Sequence, residues 1–436
     1  MNVIIKKALK LAGIIQAPPS KSYTQRVLQL AAFSDGITII KNPLYSDDTK
    51  AAMSLWKQFG AKFSKGKGSQ SIKISGVNGL PILRKATVNV KESGTLLRFV
   101  LPILCLTKGK ITVKGTGTLC NRRNTDLIPP IKKWGVDIKG RGCDHKLPIV
   151  IKGIGRIPGG KVKIDGHLTS QGISAFLNVS PLIEKDMEIL PIGKVVERPY
   201  IDMTMEVLDK FGIKSKKIGN YKKITIKSGQ KLIPPRTEIS IPGDYSSAAF
   251  LIAAACLVKS DITITNLLKD KQGDARIVDI LVQMGATIKR QNGQIQIKGP
   301  FELEGIDIDG KDIPDLVPIL TAVGCFAKGR TRILDIEHVA NKESNRITAP
   351  SEELRKLGAK IETAKDRIII YDSRLAFNRN RMAVVNARRD HRIAMMLAVV
   401  GLVLGNIKIE GFECFSKTYP GFINDLKKLG AKLKIE

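Results

Sequence analysis

One pattern of apolar and polar positions recurs along the chain: an apolar residue, two mostly polar ones, a second apolar residue, glycine, then a small or β-branched residue. Its copies are WKQFGAKF (56–63), IKKWGVDI (131–138), LDKFGIKS (208–215), LVQMGATI (281–288), LRKLGAKI (354–361) and LKKLGAKL (426–433). The six glycines, at 60, 135, 212, 285, 358 and 430, stand 72 to 77 residues apart. That period exceeds the roughly 20–50 residues of a solenoid repeat. Each copy therefore reads as a self-contained βα layer.

The elements of one layer follow from the pattern. Apolar residues three apart before the glycine form the last turn of an amphipathic helix, and the glycine takes the left-handed position that ends it. Alternating segments such as SIKISG (71–76), LPIVIKG (147–153), KKITIKSG (222–229) and GQIQIKG (293–299) predict strands. Upstream lies a more apolar helix and another strand, as in LLRFVLPILCL then KITVKG, or SSAAFLIAAACLV then DITITN. The apolar runs Ala248–Val258 and Ile393–Gly405 fall short of the ~20 residues a bilayer span needs. They predict buried helices.

Six layers could close one ring or form two triplets. The segment 14–33 (IIQAPPSKSYTQRVLQLAAF) resembles 238–256 (EISIPGDYSSAAFLIAAAC): a strand, a proline turn, a polar cap and an apolar helix. The second begins halfway along, which favours two triplets. The expected domains are 18–239, and 1–17 together with 240–436, joined by two strands as a clamp with an opening and closing cleft.

Charge narrows the partners. The 436 residues carry 72 Lys and Arg against 40 Asp and Glu, a net charge of +32. Such a field attracts anions, whether nucleic acid, acidic membrane or small phosphorylated and carboxylated molecules. Aromatics are only 5%, too few for basic patches interleaved with stacking platforms. The cysteines at 105, 120, 143, 256, 325 and 414 form no CxxC pair and give no reason to expect disulfides. Lys6, Lys7 and Lys10 interrupt the first apolar stretch, so no secretory leader is expected and the chain reads as cytoplasmic.

Polar motifs gather at the starts of the apolar helices. APPSKSYTQR places Lys21, Ser22 and Arg26 around a helix N-terminus with Ser20 as cap, an anion-binding arrangement. ESGTLLR (92–98) repeats the idea, and DGHLTSQG adds Thr169, Ser170 and Gln171, all hydrogen-bond donors. Each alone is also an ordinary helix cap. The C-terminal half adds Asp315 in IPDL, Lys342, Glu343 and Arg346 in NKESNR, Arg388, Arg389, His391 and Arg392 in ARRDHR, and Lys417 in SKTYPGF. Recurrence at equivalent positions would gather many cations and two or three carboxylates at one cleft. That suits polyanionic substrates and proton transfer.

In this order, PSKSYTQR, TSQ, ERPYIDMT, KESNR, DHRIAM and SKTYPGF closely resemble the enolpyruvyl transferases, specifically the 5-enolpyruvylshikimate-3-phosphate synthase family, over essentially the whole chain. The resemblance implies an α/β fold, a two-domain inside-out α/β barrel with three βαβαββ repeats per lobe and the active site in the interdomain cleft. It implies transfer of the enolpyruvyl group of phosphoenolpyruvate to the 5-hydroxyl of shikimate-3-phosphate, with release of phosphate, on the pathway to chorismate and aromatic amino acids. A monomer acting on these two small molecules is implied, with no metal or organic cofactor, no nucleic acid and no membrane.

Residue by residue, the resemblance gives Lys21, Ser22, Arg26, Thr169, Ser170, Gln171, Tyr200, Asp315 and Lys342 to shikimate-3-phosphate. Lys21, Gly94, Arg122, Gln171, Arg346, Arg392 and Lys417 go to phosphoenolpyruvate. Asp315 receives the 5-hydroxyl proton, Glu343 supplies a proton to C3 of phosphoenolpyruvate, and Lys21 and Lys417 tune the reacting centre. A raised pKa is expected for Glu343. The chain also departs from the family pattern. Glu92 stands where Asn is usual, Glu197 where Ser usually meets the substrate phosphate, and Arg123 where proline follows the loop arginine. His338, Ala340 and Asn345 replace the usual Asn, Arg and Asp.

Two rivals are weighed against this. The sister carboxyvinyltransferases acting on UDP-N-acetylglucosamine have Asn after the first lysine and a cysteine five residues before the loop arginine. Here Ser22 follows Lys21, and Cys120 lies two residues before Arg122. On a strand, two residues keep the face and five reverse it, which would put Cys120 on the wrong side. The other rival is a basic clamp for nucleic acid. Retention of Asp315 and Glu343 among the cations disfavours it, because RNA needs no carboxylates beside its phosphates.

Overall fold

A computed structural model describes residues 1–436 except 67, 69, 80, 82, 84 and 374–381. The chain divides into two compact units, one of Met1–Pro18 with Pro242–Glu436, the other Pro19–Ile241. The second carries α1 (Lys21–Phe33), α2 (Asp47–Gln58), α3 (Gly94–Ile103), α4 (Ile128–Lys132), α5 (Ser170–Val179) and α6 (Arg198–Lys210). The first carries α7 (Tyr245–Leu257), α8 (Arg276–Gln283), α9 (Val317–Gly324), α10 (Thr348–Arg355), α11 (His391–Leu404) and α12 (Phe422–Lys428).

Each unit contains three four-stranded sheets of one topology. In the second repeat, Thr87–Asn89 runs parallel to Lys108–Lys114. That strand pairs antiparallel with Lys146–Ile154, which pairs antiparallel with Asp137–Arg141. One helix precedes the second strand and one follows it, giving βαβαββ. The six repeat glycines all have positive φ, between 79° and 111°, and each ends the second helix of its repeat. A side chain would be strained at those positions.

The chain ends are woven into the repeats. Leu11–Gln16 pairs parallel with Ser260–Thr265 and so serves as first strand of the fourth repeat. Ile239–Ser240 pairs parallel with Ile37–Lys41 and opens the first. Val3–Ile5 lies between Ile407–Glu410 and Leu433–Ile435, completing the sixth.

The apolar helices are cores, as their composition requires. In the unit ending at Glu436, α7, α9 and α11 pack on one another. Every residue from Tyr245 to Cys256 and from His391 to Leu402 is buried. In the other unit α5 packs against α1 and α3. No described helix is long and apolar enough to cross a membrane.

Candidate functional site

In the unit Pro19–Ile241, side-chain hydrogen bonds tie together the N-terminal ends of three buried helices. Ser20, Ser93 and Thr169 cap α1, α3 and α5, each accepting a backbone N–H from the first turn. Gln25 of α1 donates to Ser93 Oγ at 3.1 Å, and Gln171 of α5 reaches Thr95 Oγ1 at 3.5 Å. Three sets of first-turn amides thus gather within one unit. Three of the expected segments meet there.

The cations around them are held differently. Lys21 pairs with Asp48 at 3.2 Å, both side chains largely buried. Arg26 is buried and donates to Thr204 Oγ1 (2.7 Å), the Ser22 carbonyl (2.9 Å), the Tyr200 carbonyl (3.1 Å) and Ser174 Oγ (3.3 Å). Burial lowers its pKa to about 10 despite the neighbouring Tyr200 and Tyr23. Arg26 therefore ties α1 to α5 and α6, bringing Tyr200 with it.

Gly94 has a specific steric reason. A Cβ there would stand 2.4 Å from Arg122 Nη1 and 3.4 Å from Arg98 Nη1, so the Arg122 guanidinium rests against the bare backbone. Arg98 donates to the Gly94 carbonyl (3.2 Å) and the Arg123 carbonyl (2.9 Å). Behind them Asp126 is fully buried. Burial raises its pKa against the pull of Arg98 and Arg122.

At α5 the anion position is filled by the chain itself. Glu197 Oε2 accepts from Thr169 Oγ1 (2.8 Å), Ser170 Oγ (2.9 Å) and the Ser170 N–H (3.0 Å). Glu197 and both partners are buried.

The other unit holds the carboxylates. Arg346, buried at 1% exposure, spreads its guanidinium over three of them. Nε donates to Asp390 Oδ2 (2.9 Å), Nη2 to Glu343 Oε2 (2.8 Å), and Nη1 to Asp315 Oδ1. Asp315 also accepts from Arg392 Nη2 at 2.9 Å, while Arg392 Nη1 donates to the Ser246 carbonyl at 2.7 Å. These carboxylates outweigh burial and hold both guanidinium pKa values above normal. Asp390 caps α11 by accepting the Arg392 N–H at 2.9 Å. Lys417 is buried with Nζ 3.2 Å from the Arg389 carbonyl. Lys342 is partly buried in an extended link after a 3-10 turn, Glu337–Asn341.

Asp274 was not among the sequence candidates. It is buried, accepts from Ser246 Oγ, and burial with nearby Asp315 raises its pKa to about 7. Its only signal is the QGD segment (272–274) ahead of α8, which reads as a polar turn. Asp48, Arg98, Asp126 and Asp390 were missed as well: Asp48 meets Lys21 and Arg98 meets the Arg123 carbonyl across 27 and 25 residues of the same repeat, while Asp390 finds the Arg346 guanidinium in another.

One expectation fails. Cys120 sits in a 3-10 turn, Gly117–Asn121, and not on a strand, so counting residue parity to find its face does not apply. Its thiol donates to the Gly115 carbonyl at 3.3 Å.

Residues 5–426 match the family described as EPSP synthase (3-phosphoshikimate 1-carboxyvinyltransferase). The 3-phosphoshikimate 1-carboxyvinyltransferase of Methanocaldococcus jannaschii is 37% identical, covering 100% of this chain and 99% of its own. That of Methanosarcina acetivorans is 38% identical with the same coverage. Among solved structures, EPSP synthase from Acinetobacter baumannii superposes with a TM-score of 0.81 at 24% identity, over 100% of this chain and 99% of that one. The enolpyruvyl transferase NikO from Streptomyces tendae gives 0.76 at 16%, over 99% and 98%. At those identities the two structures speak to the fold.

Proposed function

The chain belongs to the EPSP synthase (3-phosphoshikimate 1-carboxyvinyltransferase) family and transfers the enolpyruvyl group of phosphoenolpyruvate to shikimate-3-phosphate, and from that premise we propose how its side chains divide the work. The helix N-termini of the unit Pro19–Ile241 take the anions. Lys21, Ser22, Thr169, Ser170, Gln171 and Tyr200 receive shikimate-3-phosphate, with Arg26 fixing Tyr200 from beneath. Gly94 and Arg122 receive phosphoenolpyruvate, where the bare backbone of Gly94 leaves room for the guanidinium. In the other unit Arg346, Arg392 and Lys417 complete the phosphoenolpyruvate contacts, and Lys342 those to shikimate-3-phosphate.

The observation that carries the chemistry is the Arg346 guanidinium holding Asp315 and Glu343 together. In the free enzyme both carboxylates share that one counter-charge. When the phosphoenolpyruvate carboxylate takes Arg346, Glu343 loses its counter-charge and becomes able to carry a proton. Glu343 then delivers that proton to C3, creating oxocarbenium character at C2. Asp315 takes the proton from the 5-hydroxyl as its oxygen bonds to C2. In the second step the C2–O bond to phosphate breaks, C3 returns a proton to Glu343, and the enol ether forms. Arginine clamps supply orientation as well as charge. The six cysteines are free thiols, which fits a reducing cytoplasmic setting.

Phosphate release measured with both substrates together and each separately tests this. Release only with the pair is expected. Release from phosphoenolpyruvate alone, or none with the pair, would remove the reading.

A further inference from the structure

The Glu197 carboxylate occupies the place at α5 where a bound anion would sit. One oxygen collects the Thr169 hydroxyl, the Ser170 hydroxyl and the first free amide of a ten-residue helix, at 2.8, 2.9 and 3.0 Å. The arrangement comes at a backbone cost. Glu197 adopts φ 55°, ψ 34°, a left-handed conformation that is strained for a non-glycine residue. From that position, just before α6, its side chain makes no cap for its own helix and reaches α5 instead.

We propose that Glu197 is a built-in competitor for the phosphate of shikimate-3-phosphate, an internal anion the substrate must displace from Thr169 and Ser170. The inference rests on the assignment of those two residues to the substrate phosphate. A phosphate oxygen on the same three donors would coincide with Glu197 Oε2, so both cannot be bound. A dianion placed beside an unmoved buried carboxylate would also meet strong repulsion in a low-dielectric site. Binding is therefore an exchange of one anion for another. The exchange subtracts from affinity for shikimate-3-phosphate and leaves ligands without a phosphate untouched. It makes Glu197 a residue that sets substrate affinity and selects for a phosphate strong enough to displace it.

Calorimetric titration of wild type, Glu197→Gln and Glu197→Ser with shikimate-3-phosphate, and in parallel with shikimate, tests the exchange. Gln keeps an oxygen for the three donors but removes the charge, and Ser vacates the site. Both variants are expected to bind shikimate-3-phosphate about tenfold or more tighter, since juxtaposed like charges are costly. Shikimate should bind all three alike. Equal or weaker binding of shikimate-3-phosphate by the variants overturns the proposal, as does a gain shared by shikimate, which would mark a structural effect. A crystal structure of the wild-type complex decides the matter even if neither variant folds. The carboxylate should have left Thr169 and Ser170, and one still bound to them beside the substrate overturns the proposal. If wild type neither binds shikimate-3-phosphate nor turns it over, the functional reading itself has failed.

Discussion

Asp315 and Glu343 hang from two nitrogens of one buried guanidinium, that of Arg346, whose third nitrogen is anchored by Asp390 at the cap of α11. The two carboxylates proposed for the proton transfers thus share one guanidinium, with Arg392 as a second hold on Asp315. A planar fork with fixed donor directions can do this, and a flexible ammonium cannot.

Arg346→Lys should therefore lose about 100-fold or more in kcat while titration with shikimate-3-phosphate shows nearly unchanged affinity. Arg346→Met, which takes the guanidinium away from fully buried Asp390, should also lose stability, by about 3–5 kcal/mol in denaturant unfolding. A lysine variant with wild-type turnover would show that the fork is not what places the two carboxylates.

Asp315→Asn and Glu343→Gln should each lower turnover by about two to four orders of magnitude. Single-turnover phosphate release is the measurement, with substrate binding followed separately. Near-normal release in either variant removes that residue from the proton transfers.

Gly94→Ala tests the contact between backbone and guanidinium. The added methyl would lie 2.4 Å from Arg122 Nη1, and the far end of an arginine can shift. Stability should change little, because alanine is the better helix former by up to about 1 kcal/mol. KM for phosphoenolpyruvate should rise about tenfold, the scale of one weakened charge-assisted contact. Affinity for shikimate-3-phosphate should hold. Unfolding without a change in KM would mean the glycine serves packing alone.

The frame of the molecule is legible in the sequence because it is local. The glycines at 60, 135, 212, 285, 358 and 430 announce their positive φ through the apolar positions before them. Ser20, Ser93 and Thr169 cap helices that follow at once in the chain. What the pattern leaves dark is which partner a polar side chain finds. That Glu197 turns left-handed and spans to α5, or that Asp274 is buried beside Ser246, depends on how the two helices of one repeat pack together. Lys21 and Arg26 are five residues apart and look alike in the motif. One faces Asp48 and the other is a buried tie. Periodicity carries no information on that difference.

Cys120→Ser should keep activity within about twofold, since a hydroxyl can replace the thiol as donor to the Gly115 carbonyl. Steady-state turnover with shikimate-3-phosphate and phosphoenolpyruvate measures it, and alkylation of the wild type should inhibit weakly. Lost turnover with an intact circular dichroism spectrum would give the thiol a catalytic part and revive the UDP-sugar alternative.

Asp274 gives stability a pH dependence of definite sign. Burial and nearby Asp315 raise its pKa from 3.8 to about 7 in the folded chain, outweighing the Ser246 hydrogen bond and the Arg392 charge. Between those two values the folded protein holds a proton that the unfolded chain has released. The contribution is fully present below pH 3.8 and is lost as pH rises through about 7, with a slope of up to about 1.4 kcal/mol per pH unit. Asp274→Asn keeps the shape of the protonated acid and carries no proton to lose. Denaturant unfolding of both proteins from pH 5 to 8 should show the variant gaining on wild type as pH rises, with the gap levelling above about 7. A gap that stays constant across this range would mean Asp274 is ionised throughout, its charge carried by Arg392. A gap that narrows would reverse the sign of the shift.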